Sequence, residues 1–413
     1  MSSAEAAARL GVKRETLYSY VSRGLIRSEP GEGRRRRFRR DDVERVALQG
    51  RKADRQAGTS LVMESSVSVV EHGRLLYRGV DAAELAATQP FESVAGLLWD
   101  DVDGEADWDA PASWGAPAAA LAAQSSWPAD ALPRERLMLA ATTLSIAHGQ
   151  QMERTRAAVL QHAGPFVSAL VDALDAGPGR VRSGPAAAEA DTDAEAAIAA
   201  RVAEALCGRT PPAALVHLVN SALILVADHG LATPTLTARL VASVGADMYT
   251  AVLAGCCAMH GSAPGASALA VEQLLRDAAR GDPRRVVAER LERGEPLPGV
   301  GHPVYPERDP RAAHLLAELR HRYPDQTAMQ TVTDVEHAMA AAGQPAPNVD
   351  FALAALCYVT RLRPGASEAI FTLGRIAGFI AHCIEQYASN ERYRLNAVYV
   401  GPGPAPPPMA TNA

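Results

Sequence analysis

The chain has 413 residues, of which 48% are hydrophobic and 21% are charged, close to the average for soluble globular proteins. This length predicts two or three domains, and the composition excludes collagen, coiled-coil and globally disordered chains. No apolar run approaches the roughly 18 residues that a membrane span needs, and the N-terminus has no apolar signal region, so we expect neither membrane insertion nor secretion. Five cysteines without a CxxC spacing predict no disulfide scaffold, and the cytoplasm is the expected location.

The charge is divided unevenly along the chain. Residues 1–56 hold 15 lysines and arginines against 8 acidic residues, a net charge of +7, within a total net charge of −6. The remaining 357 residues therefore carry a net charge of −13. A small basic head on a large acidic body predicts that only the head contacts a polyanion, although a solvated basic surface has the same composition.

The head is predicted to begin with two short helices joined by a tight turn. Ser2 and Glu5 have capping-box spacing, which marks a helix start. Gly11 follows, where a helix end favours a left-handed residue. A second helix is expected from about Lys13, with one apolar face formed by Leu17, Val21 and Leu25. Three side chains lie away from that face and are candidates for contacts with DNA bases: Thr16, Ser19 and Arg23.

An arginine-rich segment follows these helices. The sequence GEGRRRRFRRDD has glycines at a turn and six arginines around one aromatic residue, a pattern that suits a β-wing lying on phosphates. The candidate phosphate contacts are Arg34, Arg35, Arg36 and Arg37. Together with AEAAARLGVKRETLYSYVSRGLI, this segment resembles the N-terminal half of MerR-type DNA-binding domains. The resemblance implies a winged helix-turn-helix head that binds double-stranded DNA.

Helical spacing dominates the body of the chain. Strand-like alternation is limited mainly to residues 66–77, whereas most other segments are rich in alanine and leucine. One stretch has the spacing of a single apolar helix face: Ile370, Leu373, Ala377, Ile380 and Ile384. We therefore predict a mostly α-helical body. Residues 177–193 lack a packable pattern and are predicted to be mobile, and the proline-rich tail is predicted to be disordered.

Three polar clusters interrupt the apolar background of the body. Asp228 and His229 lie in LVADHGLATPTLTAR. His302 follows a glycine-rich turn in PGVGHPVYPERDPRA, and Asp350 opens an apolar helix in PAPNVDFALAAL. Taken singly, such a histidine is more often a core residue, and Asp350 has the position of a helix N-cap. Together, a carboxylate base, a histidine donor and arginines suit carbon–carbon bond formation on a di- or tricarboxylic acid, with three arginines available: Arg311, Arg375 and Arg394.

The order of these motifs resembles the citrate synthase family from about residue 62 to 402. Similar segments include SSVSVVEHGRLLYRGVDAAELAATQPFESVAGLLW, LILVADHGLATPTLTARLVASVGADMYTAVLAG, GRIAGFIAHCIEQ and RLNAVYVGP. GVGHPVYPERDPRA and PNVDFALAAL are similar to the two best-known active-site stretches of that family. The resemblance implies an all-α homodimer, in which a small domain (residues 267–356) closes over the substrates and a large domain comprises residues 57–266 and 357–413.

The resemblance also implies a role for each site residue. His302 would hydrogen-bond the keto oxygen of oxaloacetate, and Asp350 would remove a proton from the methyl group of acetyl-CoA. The oxaloacetate carboxylates would be bound by His229, Arg311 and Arg375, and by Arg394 of the partner subunit. The CoA adenine would lie against the backbone of Gly299, Val300 and Gly301. No metal site and no cofactor is expected, because the CoA thioester is itself a substrate.

The sequence departs from the family in the acyl-CoA half of the site. Pro264, in GSAPGASA, stands where the family has a histidine that donates to the thioester oxygen, and proline has no side-chain donor. Removing such a donor lowers a rate by roughly 10²–10³. Reduced activity is therefore expected unless His260 substitutes. Four further positions differ from the usual family residues: Val226, Gly230, Pro306 and Asn396.

Two functional hypotheses remain. In the first, the protein is a citrate synthase-type acyltransferase that condenses acetyl-CoA or propionyl-CoA with oxaloacetate to give citrate or methylcitrate. In the second, it is a DNA-binding regulator without this activity, whose body senses oxaloacetate or an acyl-CoA. Pro264 and the basic head favour the second hypothesis, whereas His302 and Asp350 favour the first, which we place ahead. A head that serves only dimerisation or packing is the remaining alternative.

Overall fold

Two units make up the chain in the computed structural model, residues Met1–Glu64 and Ser65–Ala413. The structure describes residues 1–30, 36–39, 42, 43, 46, 63–104, 106, 108, 121–124, 127, 128, 131–148, 153–174, 197–259 and 267–393. The segment 177–193, the proline-rich tail and the expected boundary after residue 56 lie outside these residues. The division of the second unit into a large and a small domain remains a prediction.

Among its described residues, the N-terminal unit has two helices and an antiparallel strand pair: α1 (Ser3–Leu10), α2 (Arg14–Ser22), β1 (Ser28–Pro30) and β2 (Arg36–Phe38). The expected capping box is confirmed. The Ser2 hydroxyl accepts the Glu5 N–H at 3.3 Å, and the Glu5 carboxylate accepts the Ser2 N–H at 2.8 Å. Gly11 ends α1 with φ 65°, a left-handed conformation that favours glycine. The helix-turn-helix prediction is confirmed.

The wing of this unit is an antiparallel pair in which Glu29 lies opposite Arg37. A small core buries Leu17, Ile26 and Phe38. The apolar face expected for α2 is correct at Leu17 but wrong at Leu25, which is 43% exposed. The reason is that α2 has already ended at this point, so that the next residue, Ile26, takes the buried place.

In its described ranges, the second unit is mostly helical, with one antiparallel sheet of strand order β3-β4-β5. Its strands are β3 (Ser68–Glu71), β4 (Arg74–Tyr77) and β5 (Val80–Asp81). The first two lie within residues 66–77, where alternation was expected, and β5 follows that region. Its helices are α3 (Ala82–Thr88), α4 (Phe91–Trp99), α5 (Pro133–His148), α6 (Arg156–Leu174), α7 (Ala197–Cys207), α8 (Ala213–Leu225), α9 (Thr233–Ser243), α10 (Met248–Ala258), α11 (Ser267–Arg280), α12 (Pro283–Glu292), α13 (Pro310–Arg322), α14 (Thr327–Ala341), α15 (Val349–Thr360) and α16 (Ala366–Ser389). The predicted all-α class is confirmed.

Helix α16 runs through the core and helps to position the site. The five apolar residues predicted to share one of its faces are all buried. Two glycines let α16 approach α8 and the turn after it. A Cβ at Gly374 would lie 2.5 Å from the Leu223 carbonyl oxygen, and one at Gly378 would lie 2.5 Å from Oδ1 of Asp228. The α16 backbone therefore packs directly against the turn that carries His229.

In the part of the chain that the structure describes, two helices, α6 and α16, are long and apolar enough to cross a membrane by length and composition alone. Within their apolar windows, 72% and 94% of the residues are buried inside the fold. The sequence had suggested no such segment, because polar residues interrupt both helices. Core helices of soluble proteins pass the same test, so these two are weak evidence for a membrane span.

Candidate active site

The turn between α8 and α9 carries Asp228 and His229. Asp228 is fully buried, and its Oδ2 accepts the Gly230 N–H at 2.9 Å and the Ser68 hydroxyl. Its Oδ1 lies 3.3 Å from Nε2 of His382 on α16. Burial raises the pKa of this carboxyl, but His382 and the other polar neighbours outweigh burial and lower it to about 2. Asp228 therefore stays ionised and fixes the turn that presents His229.

His229 lies against a second histidine and a tyrosine. Its Nε2 is 2.9 Å from the Tyr305 hydroxyl oxygen, and its ring centre is 5.1 Å from that of His302. The Tyr305 ring centre is 4.9 Å from the His302 ring and 5.5 Å from the guanidinium carbon of Arg311. Burial, together with the charges of Arg311 and Arg375, lowers the pKa of His229 to about 2. This imidazole is therefore neutral near pH 7.

The glycine turn before His302 is fastened to the start of α15. The Asn348 N–H donates to the Gly299 carbonyl at 2.9 Å, and the Asn348 side-chain amide donates to the Gly301 carbonyl at 3.0 Å. Gly299 has φ 76°, and a Cβ there would lie 2.9 Å from Cβ of Phe351. A larger residue would push the turn away from the helix, so this position requires glycine.

His302 is held in one tautomer by its own loop. Its Nδ1 accepts the Val304 N–H at 3.1 Å, so the single proton of the neutral ring is on Nε2. Burial and the nearby charge of Arg311 lower the pKa of His302, which favours the neutral form. The ring therefore presents an Nε2–H donor, the kind of group that stabilises charge developing on a carbonyl oxygen.

Asp350 lies in the first turn of α15 and is 4% exposed. The N-cap is Asn348, whose side-chain oxygen accepts the N–H groups of Asp350 at 3.0 Å and Phe351 at 3.3 Å. The alternative in which Asp350 caps the helix is therefore wrong. Burial lowers the pKa of Arg375, and the carboxylates of Asp228 and Asp350 partly offset this effect. Asp350 thus lies within electrostatic reach of Arg375.

Two buried arginines complete the described site. Arg311 donates from Nε and Nη2 to the two oxygens of Asp309 at 2.9 and 2.8 Å, and Asp309 also accepts the Val349 N–H at 3.1 Å. Arg375 donates from Nε to the Val226 carbonyl at 2.8 Å. Within the described ranges, the remaining N–H groups of both side chains have no protein acceptor. They are therefore available to a carboxylate ligand.

Some expected site residues lie outside the described part of the chain. They are Arg34, Arg35, His260, Pro264, Arg394 and Asn396. Among the positions that depart from the family pattern, Val226 is buried at the end of α8 and Pro306 is exposed. Gly230 has φ 63°, a left-handed value that explains glycine at this position. Among the described residues, no group of three or more His, Cys, Asp or Glu side chains could hold a metal ion.

Two residues of the site received no role from the sequence analysis. Tyr305 contacts both histidines, and Asp309 holds Arg311 in place. Both lie in the loop GHPVYPERDPR, in which Tyr305 is the lone aromatic residue and Asp309 precedes Arg311 by two positions. The lone aromatic residue in this loop and the Asp-Pro-Arg spacing are the sequence features from which a role for Tyr305 and Asp309 could have been predicted.

The candidate DNA contacts of the N-terminal unit are accessible where they are described. Thr16 and Arg23 are exposed, and Ser19 is half-buried. Arg36 and Arg37 are exposed on β2. These side chains can therefore reach a ligand from solvent, and their contact with DNA remains a prediction.

Both parts of the chain are similar to known proteins. Residues 57–396 match the family described as citrate synthase, C-terminal domain, and residues 1–51 match a helix-turn-helix domain. The chain is 30% identical over 360 residues to the citrate synthase of Haloferax volcanii, covering 83% of this chain and 94% of that protein. It is 28% identical over 357 residues to the 2-methylcitrate synthase of Shewanella oneidensis, covering 82% and 92%.

Solved structures share the fold of the second unit. The citrate synthase of Pyrobaculum aerophilum matches with a TM-score of 0.66 at 23% identity, covering 84% of this chain and 92% of that one. The citrate synthase of Thermoplasma acidophilum, solved as a ternary complex with carboxymethyl coenzyme A and oxaloacetate, matches with a TM-score of 0.66 at 21% identity, covering 85% and 97%. The chain therefore belongs to the citrate synthase family and carries a helix-turn-helix domain at its N-terminus.

Proposed function

We propose that the second unit condenses acetyl-CoA or propionyl-CoA with oxaloacetate to give citrate or methylcitrate and CoA. The observation that carries this proposal is that the glycine turn before His302 is fastened to the helix that carries Asp350, beside Arg311 and Arg375. This condensation needs a hydrogen-bond donor for a carbonyl oxygen, a base, and two cations for the carboxylates. The relatives include a citrate synthase and a 2-methylcitrate synthase, which supports the proposal of an acetyl or a propionyl group as the acyl group.

The described side chains account for the proposed reaction up to the formation of the new carbon–carbon bond. Oxaloacetate is bound through its carboxylates by Arg311 and Arg375, with a further hydrogen bond from His229. The Nε2–H of His302 donates to the keto oxygen and makes the keto carbon electron-poor. Asp350 removes a proton from the carbon next to the thioester, and this carbon attacks the keto carbon. The π electrons of the keto group move to its oxygen, which takes up the Nε2 proton of His302, and the proton on Asp350 restores the histidine. Water then hydrolyses the thioester and releases CoA.

The rest of the substrate contacts follow from the family resemblance. The CoA adenine is proposed to lie against the backbone of Gly299, Val300 and Gly301, and the main-chain hydrogen bonds of this turn to Ala346 and Asn348 support a fixed surface there. We also propose a homodimer in which Arg394 of the partner subunit completes each oxaloacetate site. No cofactor is required for this chemistry.

Turnover is proposed to be slow. In the proposed mechanism His302 serves the keto oxygen and Asp350 removes the proton, so neither can stabilise the enolate oxygen of the thioester. Pro264, at the corresponding family position, has no donor, and the loss of one such donor lowers a rate by roughly 10²–10³. A backbone N–H, a water molecule or His260 would have to take that place.

A second candidate function is favoured by the helix-turn-helix domain. In this alternative, the second unit binds oxaloacetate or an acyl-CoA without condensing them, and binding changes the affinity of the N-terminal unit for DNA. The exposed arginines of β2, Arg36 and Arg37, support DNA contact. The two candidates differ in one measurable property, the oxaloacetate-dependent release of CoA.

Oxaloacetate should bind the full-length protein, and Arg375→Ala should weaken binding by about tenfold or more, because a charge-assisted contact is lost. Titration calorimetry measures both affinities, and thermal unfolding shows whether the variant is folded. Arg285→Ala is the matched control, since Arg285 pairs with Glu289 at 2.7 Å on the exposed face of α12. Absence of heat from the wild-type protein at millimolar oxaloacetate would contradict the proposed ligand.

The N-terminal unit should bind double-stranded DNA mainly through phosphates. Replacing Arg36 and Arg37 with alanine should reduce the slope of log affinity against log salt by roughly 0.9 for each lost phosphate contact. Fluorescence anisotropy at several salt concentrations measures this slope, with Arg285→Ala as a control for charge alone. A chain that starts at Ser65 should not retard DNA, and equal binding by this chain would refute the assignment.

A further inference from the structure

Tyr305 contacts three of the groups to which the proposed reaction assigns a role. It is 3% exposed, and its hydroxyl oxygen lies 2.9 Å from Nε2 of His229. Its ring lies against the His302 ring at 4.9 Å and beneath the Arg311 guanidinium at 5.5 Å. Within the described residues, His229 is the single hydrogen-bond partner of the Tyr305 hydroxyl. The direction of this hydrogen bond therefore determines which ring nitrogen of His229 carries the proton.

The hydrogen bond between Tyr305 and His229 has two possible directions. Burial raises the pKa of Tyr305 to about 12 and lowers that of His229 to about 2, so each group carries one proton near neutral pH. If the Nε2–H of His229 donates to the Tyr305 oxygen, the buried Tyr305 O–H has no acceptor among the described residues, and Nδ1 of His229 is unprotonated. If the O–H donates to Nε2, the imidazole proton is on Nδ1.

Burial favours the second direction. An unpaired donor is most unfavourable where water cannot reach it, and Tyr305 is more deeply buried than His229. The Arg311 guanidinium over the Tyr305 ring also favours donation from the Tyr305 O–H to Nε2 of His229, because a nearby cation makes the phenol a stronger donor. The proton of His229 is then left on the nitrogen that does not face Tyr305.

Ligand charge favours the same direction. A lone pair on Nδ1 of His229 would repel a carboxylate, whereas an N–H would donate to it. His302 has the opposite arrangement, because the Val304 N–H occupies its Nδ1 and leaves the proton on Nε2. Two adjacent neutral histidines would thus each present one donor.

We propose that Tyr305 is a positioning residue that holds His229 in the Nδ1–H tautomer, opposite to the Nε2–H tautomer of His302, so that His229 donates to a ligand carboxylate while His302 donates to a carbonyl oxygen. The tautomer assignment stands on the described contacts, whereas the choice of oxaloacetate as the ligand rests on the proposed function.

Nitrogen NMR of the full-length protein, labelled with ¹⁵N-histidine, tests the assignment. His229→Gln and His302→Gln identify the two signals. In the wild-type protein, we expect Nδ1 to be protonated in His229 and Nε2 in His302. In Tyr305→Phe, which retains the ring and loses the hydroxyl, His229 should shift toward the Nε2–H form, and the KM for oxaloacetate should rise by roughly five- to tenfold with a much smaller change in kcat.

Tyr387→Phe is the matched control. The Tyr387 hydroxyl donates to the Ala246 carbonyl at 2.8 Å outside the site, so this variant loses a comparable hydrogen bond and should leave both tautomers unchanged. A wild-type His229 protonated on Nε2, or an unchanged His229 signal in Tyr305→Phe, would overturn the proposal. The expected spectra without any oxaloacetate binding would support the tautomer assignment and contradict the proposed function.

Discussion

Replacing Asp350 with asparagine should lower the rate of CoA release by about 10²–10⁴-fold, because asparagine has nearly the same shape but cannot take up the proton from the thioester substrate. The cap of α15 should survive the substitution, since Asn348 supplies it through its own side chain. A loss of activity in a folded protein is therefore expected. Thiol release with oxaloacetate and acetyl-CoA measures the rate, and circular dichroism confirms the fold.

Oxaloacetate binding should not weaken in the same Asp350→Asn variant. The Asp350 carboxylate is negative and lies within electrostatic reach of Arg375, so its neutralisation removes repulsion of a dicarboxylate. Calorimetry should therefore give a Kd equal to or below that of the wild-type protein. Asp334→Asn is the control, because Asp334 accepts a hydrogen bond from Gln330 at 2.9 Å on α14, away from the site. Full activity in Asp350→Asn would show that another group is the base.

Replacing Asp309 with alanine should destabilise the second unit by about 3–5 kcal/mol, because the substitution leaves the buried Arg311 without its ion-pair partner. Arg311 and Asp309 are 3% and 1% exposed at their side chains, and two hydrogen bonds from the Arg311 guanidinium join these side chains. Asp309 also accepts the Val349 N–H at the start of α15. The substitution therefore acts on an arginine of the site and on the helix that carries Asp350.

A second Asp-Pro-Arg sequence in the chain provides the control for Asp309→Ala. Asp282 caps α12 and accepts the Arg284 N–H at 3.0 Å, as Asp309 caps α13 and accepts the Arg311 N–H at 3.0 Å. Arg284 is exposed, so Asp282→Ala removes the cap alone, worth about 1 kcal/mol. Urea unfolding of the two variants measures the difference. Equal destabilisation by both would contradict a stabilising role for the buried pair.

The effect of Asp309→Ala should depend on pH. Burial raises the pKa of Asp309, but the charge and hydrogen bonds of Arg311 outweigh burial and lower it. Because the pKa is lower in the folded than in the unfolded state, the stabilisation is complete above the unfolded pKa of about 4 and is lost as the pH falls through the folded pKa. The difference in the free energy of unfolding between wild type and Asp309→Ala should therefore become smaller below about pH 4. A difference in unfolding free energy that does not change with pH would contradict the ion-pair explanation.

Regular patterns made much of the fold predictable from the sequence. The apolar spacing in Ile370–Ile384 gave a buried helix face, and the Ser2–Glu5 spacing gave a capped helix start. These features depend on residues that are near one another in the chain, so that local spacing is sufficient. The order of the motifs around His302 and Asp350 likewise predicted one site, whose loops the structure joins through Asn348.

Contacts between distant segments were not predictable in the same way. The pairing of Asp228 with His382 and of His229 with Tyr305 leaves no periodic signal in the sequence. The N-cap of α15 was assigned to Asp350 in one alternative, although Asn348 takes that place once the preceding loop is extended. Such details depend on loop conformation and on burial, which decide the tautomers and pKa values of the site.

The condensation of an acyl-CoA with oxaloacetate is tested most directly by measuring thiol release from acetyl-CoA and from propionyl-CoA, with and without oxaloacetate. We predict slow release that requires oxaloacetate and is lost in Asp350→Asn. If neither thioester releases thiol while calorimetry shows that oxaloacetate binds, the condensation is contradicted and the alternative of a ligand-binding regulator is favoured.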